Sequence, residues 1–183
     1  MENLIMENRI GDWMQTFSGI AFWPLDPKAS EINIVDIAHA LSMTCRYAGH
    51  TKEFYSVAEH SVWVSKFVPT EHALWGLMHD AAEAYSADIP SPIKKYLSGW
   101  KEIEKRIMDA ICVKYNMDFK EPPEVKKIDL AILSDERNLV MNPSDKEWGI
   151  TKEILGADLQ CLNPTEAKIL FLNRFEEITG RIF

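Results

Sequence analysis

Apolar residues recur every three or four positions from about Ile32 onward, except in a weaker region from Asn142 to Asn163, and this is the spacing of buried helix faces. No stretch alternates polar and apolar residues over the length of a strand. At 183 residues, the chain is long enough for one domain with a substantial core. The sequence therefore predicts a single-domain, all-α bundle.

Helix boundaries are marked by capping residues and prolines. Ser56 and Glu59 form the pattern of a capping box, which predicts that the second helix follows Ser56 and that Glu59 reaches back to it. Thr70 is placed to cap a third helix that runs to about Tyr85. Three further helices are predicted from about Trp100 to Tyr115, from Pro122–Pro123 to about Val140, and from Pro164 onward.

The predicted domain, residues 1–183, has three parts. An irregular N-terminal segment covers residues 1–30, a helical core covers about 31–141, and a C-terminal extension with the last helix covers 142–183. In the first segment, Phe17, Phe22 and Trp23 stand among glycines and prolines. We expect these three aromatic residues to anchor the segment onto the core.

Charge and cysteine content limit the class of protein. Lys plus Arg is 20 and Asp plus Glu is 28, giving a net charge of −8, which argues against a surface for nucleic-acid polymers. Small phosphorylated ligands remain compatible, because a bound metal supplies positive charge locally. The dispersed Cys45, Cys112 and Cys161 are typical of reduced thiols. With no signal-peptide pattern and no membrane-spanning run, we expect a cytoplasmic protein without a membrane partner.

Four residues of metal-ligand type lie on predicted apolar helix faces. They are His60 in the second helix, the adjacent pair His79 and Asp80 in the third, and Asp129 in the fifth. Each alone has an ordinary reading, as a hydrogen-bonded core histidine, an arginine partner or an acid near a helix N-terminus. Together they favour a shared divalent cation, because burying two ionised carboxylates is costly unless they are paired or metal-bound.

The order and local context of these residues resemble the HD-domain metal-dependent phosphohydrolases. The matching segments are Ser-Val-Ala-Glu-His-Ser around His60, His-Asp-Ala-Ala-Glu-Ala at 79–84, and Asp-Ile-Pro-Ser-Pro-Ile-Lys at 88–94. They are most similar to the small nucleotidase branch, which includes bacterial 5′-deoxynucleotidases and phage-type dATP triphosphohydrolases. One difference is the short interval between His60 and His79, which bears on the nucleoside side of the pocket.

The resemblance implies an HD-domain helical bundle that hydrolyses deoxynucleoside 5′-phosphates. The enzyme would be a dNMP 5′-nucleotidase or a dNTP triphosphohydrolase, with dATP as one candidate substrate. His60, His79, Asp80 and Asp129 would hold one divalent ion, whose identity among Mn, Co, Mg, Zn, Fe and Ni the sequence leaves open. A water activated by this ion would attack phosphorus.

Two further acids are candidate catalytic residues. Glu83 follows His79 by four residues and Asp80 by three, so a continuous helix would place all three on one face. We expect Glu83 to act on the attacking water or on the leaving oxygen. Asp88 matches a carboxylate that the resembled enzymes use in the network around the attacking water.

Substrate contacts follow from the same resemblance. Arg46 lies at the position where these enzymes have an arginine that binds the substrate phosphate. The planar guanidinium can donate hydrogen bonds to two phosphate oxygens at once. His50 and Lys94 are further phosphate candidates, whereas Tyr47 and Trp23 are candidates to contact the base or sugar. Glu136, two helical turns beyond Asp129, is a candidate to support the site from behind its ligands.

Other functions and the assembly state stay open at this point. The first rival is a phosphodiesterase for cyclic or linear dinucleotides, or an alarmone hydrolase, and the second is a nucleotide-sensing module without activity. All four ligand positions of the motif hold residues able to bind a metal, which argues against an inactive module. The nucleotidase-like segments argue against the phosphodiesterase. We also expect a homo-oligomer, dimer or larger, because the last helix carries a dense apolar set. These residues are Leu170, Phe171, Leu172 and Phe175.

Overall fold

The computed structural model describes residues 8–151 and 153–182, so residues 1–7 of the N-terminal segment lie outside the description. The described chain is mainly helical, which confirms the all-α prediction at the level of fold class. The helices are α1 Ile34–Met43, α2 Val57–Phe67, α3 Ala73–Met78, α4 Glu83–Ser86, α5 Ser91–Lys94, α6 Trp100–Tyr115, α7 Pro123–Val140 and α8 Pro164–Thr179.

A small hairpin interrupts the segment expected to be irregular. Strand β1, Met14–Gln15, pairs antiparallel with β2, Ala21–Phe22. Phe22 is completely buried, as expected for a core anchor, and Trp23 is half-buried. The same expectation for Phe17 is wrong, because the turn of the hairpin leaves it 57% exposed, stacked on His39 with ring centroids 3.8 Å apart.

Helix α2 lies at the centre of the bundle and packs against α1, α3, α7 and α8. The contact with α3 is close because Gly76 presents no side chain there. A Cβ on Gly76 would lie 2.9 Å from the Cα of Ser65 and 3.0 Å from a methyl carbon of Val68. This close approach places the end of α3, and the residues that follow it, directly beside α2.

The third predicted helix is broken, which corrects the expectation of a continuous helix to Tyr85. Helix α3 ends at Met78, and the hydrogen bonds that follow span three residues, as in Ala81 N–H to Met78 O and Glu83 N–H to Asp80 O. The chain resumes as α4 only at Glu83. Thr70 also does not cap α3, because it begins a 3₁₀ turn, Thr70–His72, that precedes the helix. His79 and Asp80 therefore lie in a tight turn between two short helices.

Ser56 caps α2 as predicted, by accepting a hydrogen bond from Glu59 N–H at 3.1 Å. The second half of the predicted capping box, in which the Glu59 side chain binds back to Ser56, is wrong. The fully buried Glu59 carboxylate instead accepts from the backbone N–H groups of Gln160 at 2.6 Å and Leu162 at 2.9 Å. The carboxylate binds the C-terminal chain instead of its own helix end because that chain brings two backbone N–H donors that need an acceptor.

A second buried acid holds the same irregular segment. The Asp135 carboxylate on α7 accepts from the backbone N–H groups of Leu155, Gly156 and Ala157, at 2.9, 2.8 and 3.0 Å. Residues 155–162, which we call the strap, therefore run between α7 and α2 and are fixed to both. Glu59 and Asp135, the two acids that bind the strap, immediately precede His60 and Glu136 in the sequence.

The last helix starts at Pro164 as predicted, with Asn163 as its cap. It packs against α1, α2 and α3, and this packing buries Phe171, Leu172 and Phe175. The apolar set that suggested a homo-oligomer is therefore used largely within the protomer. Within the described residues, no helix combines the length and the apolar character that crossing a bilayer would require.

Candidate metal centre

Three elements bring three side chains of metal-ligand type to one point. His60 comes from α2, His79 from the turn after α3, and Asp129 from α7. The Nε2 atoms of the two imidazoles lie 3.2 Å apart, and Oδ1 of Asp129 is 3.3 Å from His60 Nε2 and 3.7 Å from His79 Nε2. One ligand atom from each residue lies within 4.8 Å of the others, so the three can hold a metal ion.

Asp80, the fourth predicted ligand, lies beside this triad. Its Oδ2 is 3.2 Å from His79 Nε2, 3.7 Å from His60 Nε2 and 3.8 Å from Arg46 Nη1. The carboxylate therefore faces both imidazoles and the guanidinium. All four residues singled out from the sequence meet in space, although they come from positions up to 69 residues apart along the chain.

Hydrogen bonds at the far side of each imidazole fix which nitrogen faces the centre. Nδ1–H of His79 donates to the carbonyl oxygen of Gly76 at 2.8 Å, and Nδ1–H of His60 donates to Oε1 of Glu136 at 2.7 Å. In the neutral rings, both Nε2 atoms are then unprotonated and present lone pairs toward each other. Such lone pairs at 3.2 Å repel unless a proton or a metal ion lies between or beside them. The donor set thus fits a divalent metal with nitrogen and oxygen ligands.

The electrostatics of the group also favour positive charge. Burial lowers the pKa of His79, but the carboxylates of Asp80 and Asp129 outweigh it and hold this pKa well above the ordinary value. Burial would raise the pKa of both acids, yet charge and hydrogen bonding from the imidazoles hold both below their usual range. The two carboxylates therefore stay ionised and attract a cation.

Glu136 lies at the centre of a hydrogen-bond network on the side of His60 away from the candidate metal centre. Its fully buried carboxylate accepts from His60 Nδ1–H and Tyr55 O–H on Oε1, and from Arg46 Nη2–H and Tyr47 O–H on Oε2. Although burial opposes ionisation, the nearby charge of Arg46 and the bond from His60 lower the pKa of Glu136 to about 2. Arg46 in turn has its pKa raised by Glu136 against the effect of burial.

Within the described chain, Arg46 has one buried donor without a partner and another nitrogen that faces the centre. Its side chain is only 10% exposed, and its buried Nε–H has no hydrogen-bond partner among the described residues. An unfilled buried N–H is costly, since most buried donors in proteins are satisfied. The part of the guanidinium that faces the centre is Nη1, which lies 3.8 Å from Oδ2 of Asp80.

Glu83 and Lys94 line the same side of the centre. The Glu83 side chain is 8% exposed, its Oε2 has no partner among the described residues, and its Oε1 lies 3.7 Å from Lys94 Nζ. Burial, with the charges of Asp80 and Asp88, raises the pKa of Glu83 to about 9. Burial also raises the pKa of Asp88, and Arg46 opposes this shift. Glu83 is thus neutral at pH 7 in this arrangement and has a proton to donate.

The remaining substrate-contact candidates divide into two groups. The ring of Tyr47 lies 5.2 Å from the Arg46 guanidinium carbon and 5.4 Å from the Trp148 ring, so it borders the centre. Trp23 instead contacts Arg9 and Trp13 in the N-terminal segment. His50 is exposed, and within the described chain no contact joins its side chain to the ligands.

Sequence reasoning missed several residues around the centre. Lys126 Nζ binds Oδ2 of Asp129 at 2.7 Å, and Glu104 Oε1 binds Lys94 Nζ at 2.7 Å. Glu121 has its pKa raised by burial, with His79 opposing and Asp129 contributing. The spacing of Lys126 and Asp129 on one helix was a usable signal. No sequence signal identified Tyr55, Glu104 and Glu121, because only the packing of separate elements brings them near the metal centre.

Comparison with known proteins gives two relatives and no matching protein-family model. The uncharacterized protein YfdR of Escherichia coli is 38% identical over 170 residues, covering 91% of this chain and 96% of YfdR. An uncharacterized protein of Rhodobacter capsulatus is 31% identical over 125 residues, covering 63% of this chain and 64% of that protein.

Proposed function

This chain belongs to the family of Escherichia coli YfdR, and we propose that it is an HD-type, metal-dependent phosphohydrolase acting on nucleotides. One observation carries the proposal. Two imidazole nitrogens and the carboxylates of Asp80 and Asp129 converge beside a buried arginine, whose Nη1 lies 3.8 Å from Oδ2 of Asp80. A cation site next to a buried anion-binding group suits a phosphate ester whose charge both can neutralise.

The ligand roles follow from the geometry. His60 and His79 would each give Nε2 to the ion, and Asp129 and Asp80 would each give a carboxylate oxygen. When bound, a divalent ion supplies Lewis acidity toward a phosphoryl oxygen and lowers the pKa of water. Lys126, bound to the other oxygen of Asp129 at 2.7 Å, would hold that carboxylate in orientation.

The substrate phosphate would lie between the ligands and Arg46. Nη1 of Arg46, which lies 3.8 Å from Oδ2 of Asp80, would donate to one phosphate oxygen, while Nη2 stays on Glu136 at 3.0 Å. Lys94, held by Glu104, adds a second positive charge on the Glu83 side. The positive charges of Arg46 and Lys94 offset part of the negative charge of the carboxylates that line the pocket.

The proton needed by the leaving oxygen would come from Glu83. Its carboxyl group is buried, lies three residues from Asp80, and has a pKa of about 9, so it carries a proton at pH 7. A positioned acid of this kind is typically worth roughly 10²–10⁴-fold in rate. Asp88, beside Arg46 and Lys94, would orient the attacking water.

Deoxynucleoside 5′-phosphates are the substrate class that we propose, on the strength of the sequence resemblance. A dNMP would release inorganic phosphate and a dNTP would release triphosphate, depending on which phosphorus lies over the ligands. The aromatic pair Tyr47 and Trp148, with rings 5.4 Å apart beside Arg46, supports a substrate that carries a planar base.

The test is a screen of dNMPs, NMPs, dNTPs and cyclic dinucleotides with Mn²⁺, Co²⁺, Mg²⁺ and Zn²⁺, resolving products by chromatography. We expect metal-dependent release of phosphate or triphosphate from deoxynucleotides. Asp129→Asn should abolish it, whereas Asp109→Asn, an exposed acid paired with Lys105, is the matched control and should not. Nucleotide binding without turnover under every metal would instead identify a sensing module, and cleavage of dinucleotides alone would identify a phosphodiesterase.

A further inference from the structure

We propose that Glu136 is a positioning residue that fixes the metal-ligating imidazole of His60 and the phosphate-binding guanidinium of Arg46 in one arrangement. This inference rests on the proposed function and adds to it a carboxylate that contacts neither substrate nor metal. Glu136 would therefore link the two halves of the site, so that metal binding and phosphate binding depend on the same side chain.

The four hydrogen bonds to Glu136 are divided evenly between its oxygens. Oε1 accepts from His60 Nδ1–H at 2.7 Å and from Tyr55 O–H at 3.1 Å. Oε2 accepts from Arg46 Nη2–H at 3.0 Å and from Tyr47 O–H. A carboxylate has about four lone-pair positions, so this one is saturated. With the residue 0% exposed, the partners of Glu136 are set by the protein.

On the metal side, the bond to Oε1 fixes the tautomer and the rotation of the His60 ring. With Nδ1 carrying the proton, Nε2 is left as the ligand atom and points toward His79 and Asp129. Partners of this type typically change metal affinity or activity by about 10- to 100-fold when they are removed. His79 has its own acceptor, the Gly76 carbonyl, so Glu136 acts on one imidazole only.

On the phosphate side, the bond to Oε2 fixes a turn that the backbone disfavours. Arg46 begins a short 3₁₀ segment in which Tyr47 and Ala48 have φ values of 55° and 51°. Residues with a Cβ adopt this left-handed region at a cost. The Tyr47 hydroxyl and the Arg46 guanidinium both reach Oε2 from this turn, so Glu136 holds the turn and the arginine together.

The neighbouring acid on α7 supplies a matched control. Asp135 is also buried and hydrogen-bonded on both oxygens, but its three partners are backbone N–H groups of the strap. A merely structural role for a buried acid on this helix is therefore represented by Asp135. Only Glu136 should affect ligand affinity when both variants are folded.

The first experiment measures ligand binding without turnover. Wild type, Glu136→Gln and Asp135→Asn are titrated by calorimetry with Mn²⁺ alone, and with inorganic phosphate in the presence of Mn²⁺, well below their unfolding temperatures. Glutamine keeps one accepting oxygen and replaces the other with an NH₂ group, which donates, so it cannot accept from His60, Tyr55, Arg46 and Tyr47 at once. We expect Mn²⁺ affinity to fall about 10- to 100-fold in Glu136→Gln. Phosphate affinity should fall with it, whereas Asp135→Asn should lower the unfolding temperature and leave both affinities near wild type.

Two milder variants keep the test decisive if Glu136→Gln does not fold. Tyr55→Phe removes a donor from Oε1, the oxygen shared with His60, and should weaken Mn²⁺ binding severalfold with little effect on phosphate. Tyr47→Phe removes a donor from Oε2, the oxygen shared with Arg46, and should have the reverse pattern. This opposite selectivity is not expected from a general loss of stability.

The outcomes separate this inference from the proposed function. Wild-type protein that binds Mn²⁺, with unchanged affinities in folded Glu136→Gln, overturns the positioning role alone. The same holds for tyrosine variants that change neither affinity, or change both equally. Wild-type protein that binds no divalent metal overturns both the inference and the proposed function.

Discussion

The Nε2 atoms of His60 and His79 face each other at 3.2 Å, and each ring has its Nδ1 bound to an acceptor, Glu136 for one and Gly76 for the other. Two imidazole nitrogens this close, beside two carboxylates, need a cation at the centre, which is either a proton on His79, whose pKa is raised, or a bound metal ion. A metal ion bound by the four side chains would displace that proton, and its consequences can be measured.

Removing a ligand should remove the metal. We expect His60→Ala and Asp129→Ala to lose divalent-ion binding, and Asp80→Ala to weaken it, because each deletes an atom that faces the centre. Metal content by mass spectrometry and Mn²⁺ titration check this. His72→Ala, which removes a half-exposed imidazole near Glu124, is the control and should retain the metal. Wild-type metal content in Asp129→Ala would contradict the site.

Glu83→Gln should separate chemistry from binding. The amide keeps the shape of the side chain but cannot donate an acidic proton, so kcat should fall by roughly 10²–10⁴-fold. Metal content and nucleotide affinity should stay near wild type, because Glu83 does not belong to the ligand triad. Loss of the metal in Glu83→Gln would mean that Glu83 is a ligand. Full turnover would move the acid role to Asp88.

The same substitution should alter the pH dependence of stability. The pKa of Glu83 is 4.5 in the unfolded chain and about 9 in the fold. Between these values the unfolded chain releases the proton and the folded one keeps it, so this group costs increasing stability as pH rises. Urea unfolding of chelator-treated protein at pH 4, 7 and 9 should therefore show Glu83→Gln gaining stability over wild type with rising pH. A constant difference would contradict the raised pKa.

Arg46→Lys should weaken substrate binding and spare the metal. Lysine keeps a positive partner for Glu136 but lacks a second nitrogen in the place of Nη1, which faces Asp80 at 3.8 Å. Hydrogen bonds to charged groups contribute about 1.5–3 kcal/mol, so we expect KM to rise about 10- to 100-fold. Arg106→Lys, an exposed arginine near Leu25, is the matched control. Unchanged KM in Arg46→Lys would remove Arg46 from the phosphate site.

Gly76→Ala should disturb both stability and the metal ligand. The added Cβ would lie 2.9 Å from the Cα of Ser65, and backbone cannot yield as a flexible side chain does. We expect a loss of about 1–3 kcal/mol in unfolding free energy. Mn²⁺ affinity should fall too, since the Gly76 carbonyl orients His79. Denaturation and titration of the same samples check both, and a variant with wild-type values would show that α2 and α3 separate freely.

Much of the fold could be predicted because helix signals are local. The bounds of α6 and the start of α8 agree with the spacing of apolar residues and with the prolines. The candidate ligand residues were also recognisable, because histidines and aspartates on apolar helix faces are unusual. The same local rules wrongly predicted that the third helix is continuous through His79–Ala82. Apolar residues spaced by three and four positions fit a tight turn there as well as an α-helix.

The sequence by itself determined the helices and the chemical types available to the site. Tertiary structure alone decided which atoms meet. It joined Arg46 to Glu136 across 90 residues, turned Glu59 from its own helix end to the strap, and buried Phe171 and Phe175 inside the protomer. The physical reason is competition for partners. A buried carboxylate takes the donors that the packed chain brings within reach, and local spacing does not specify donors from distant segments.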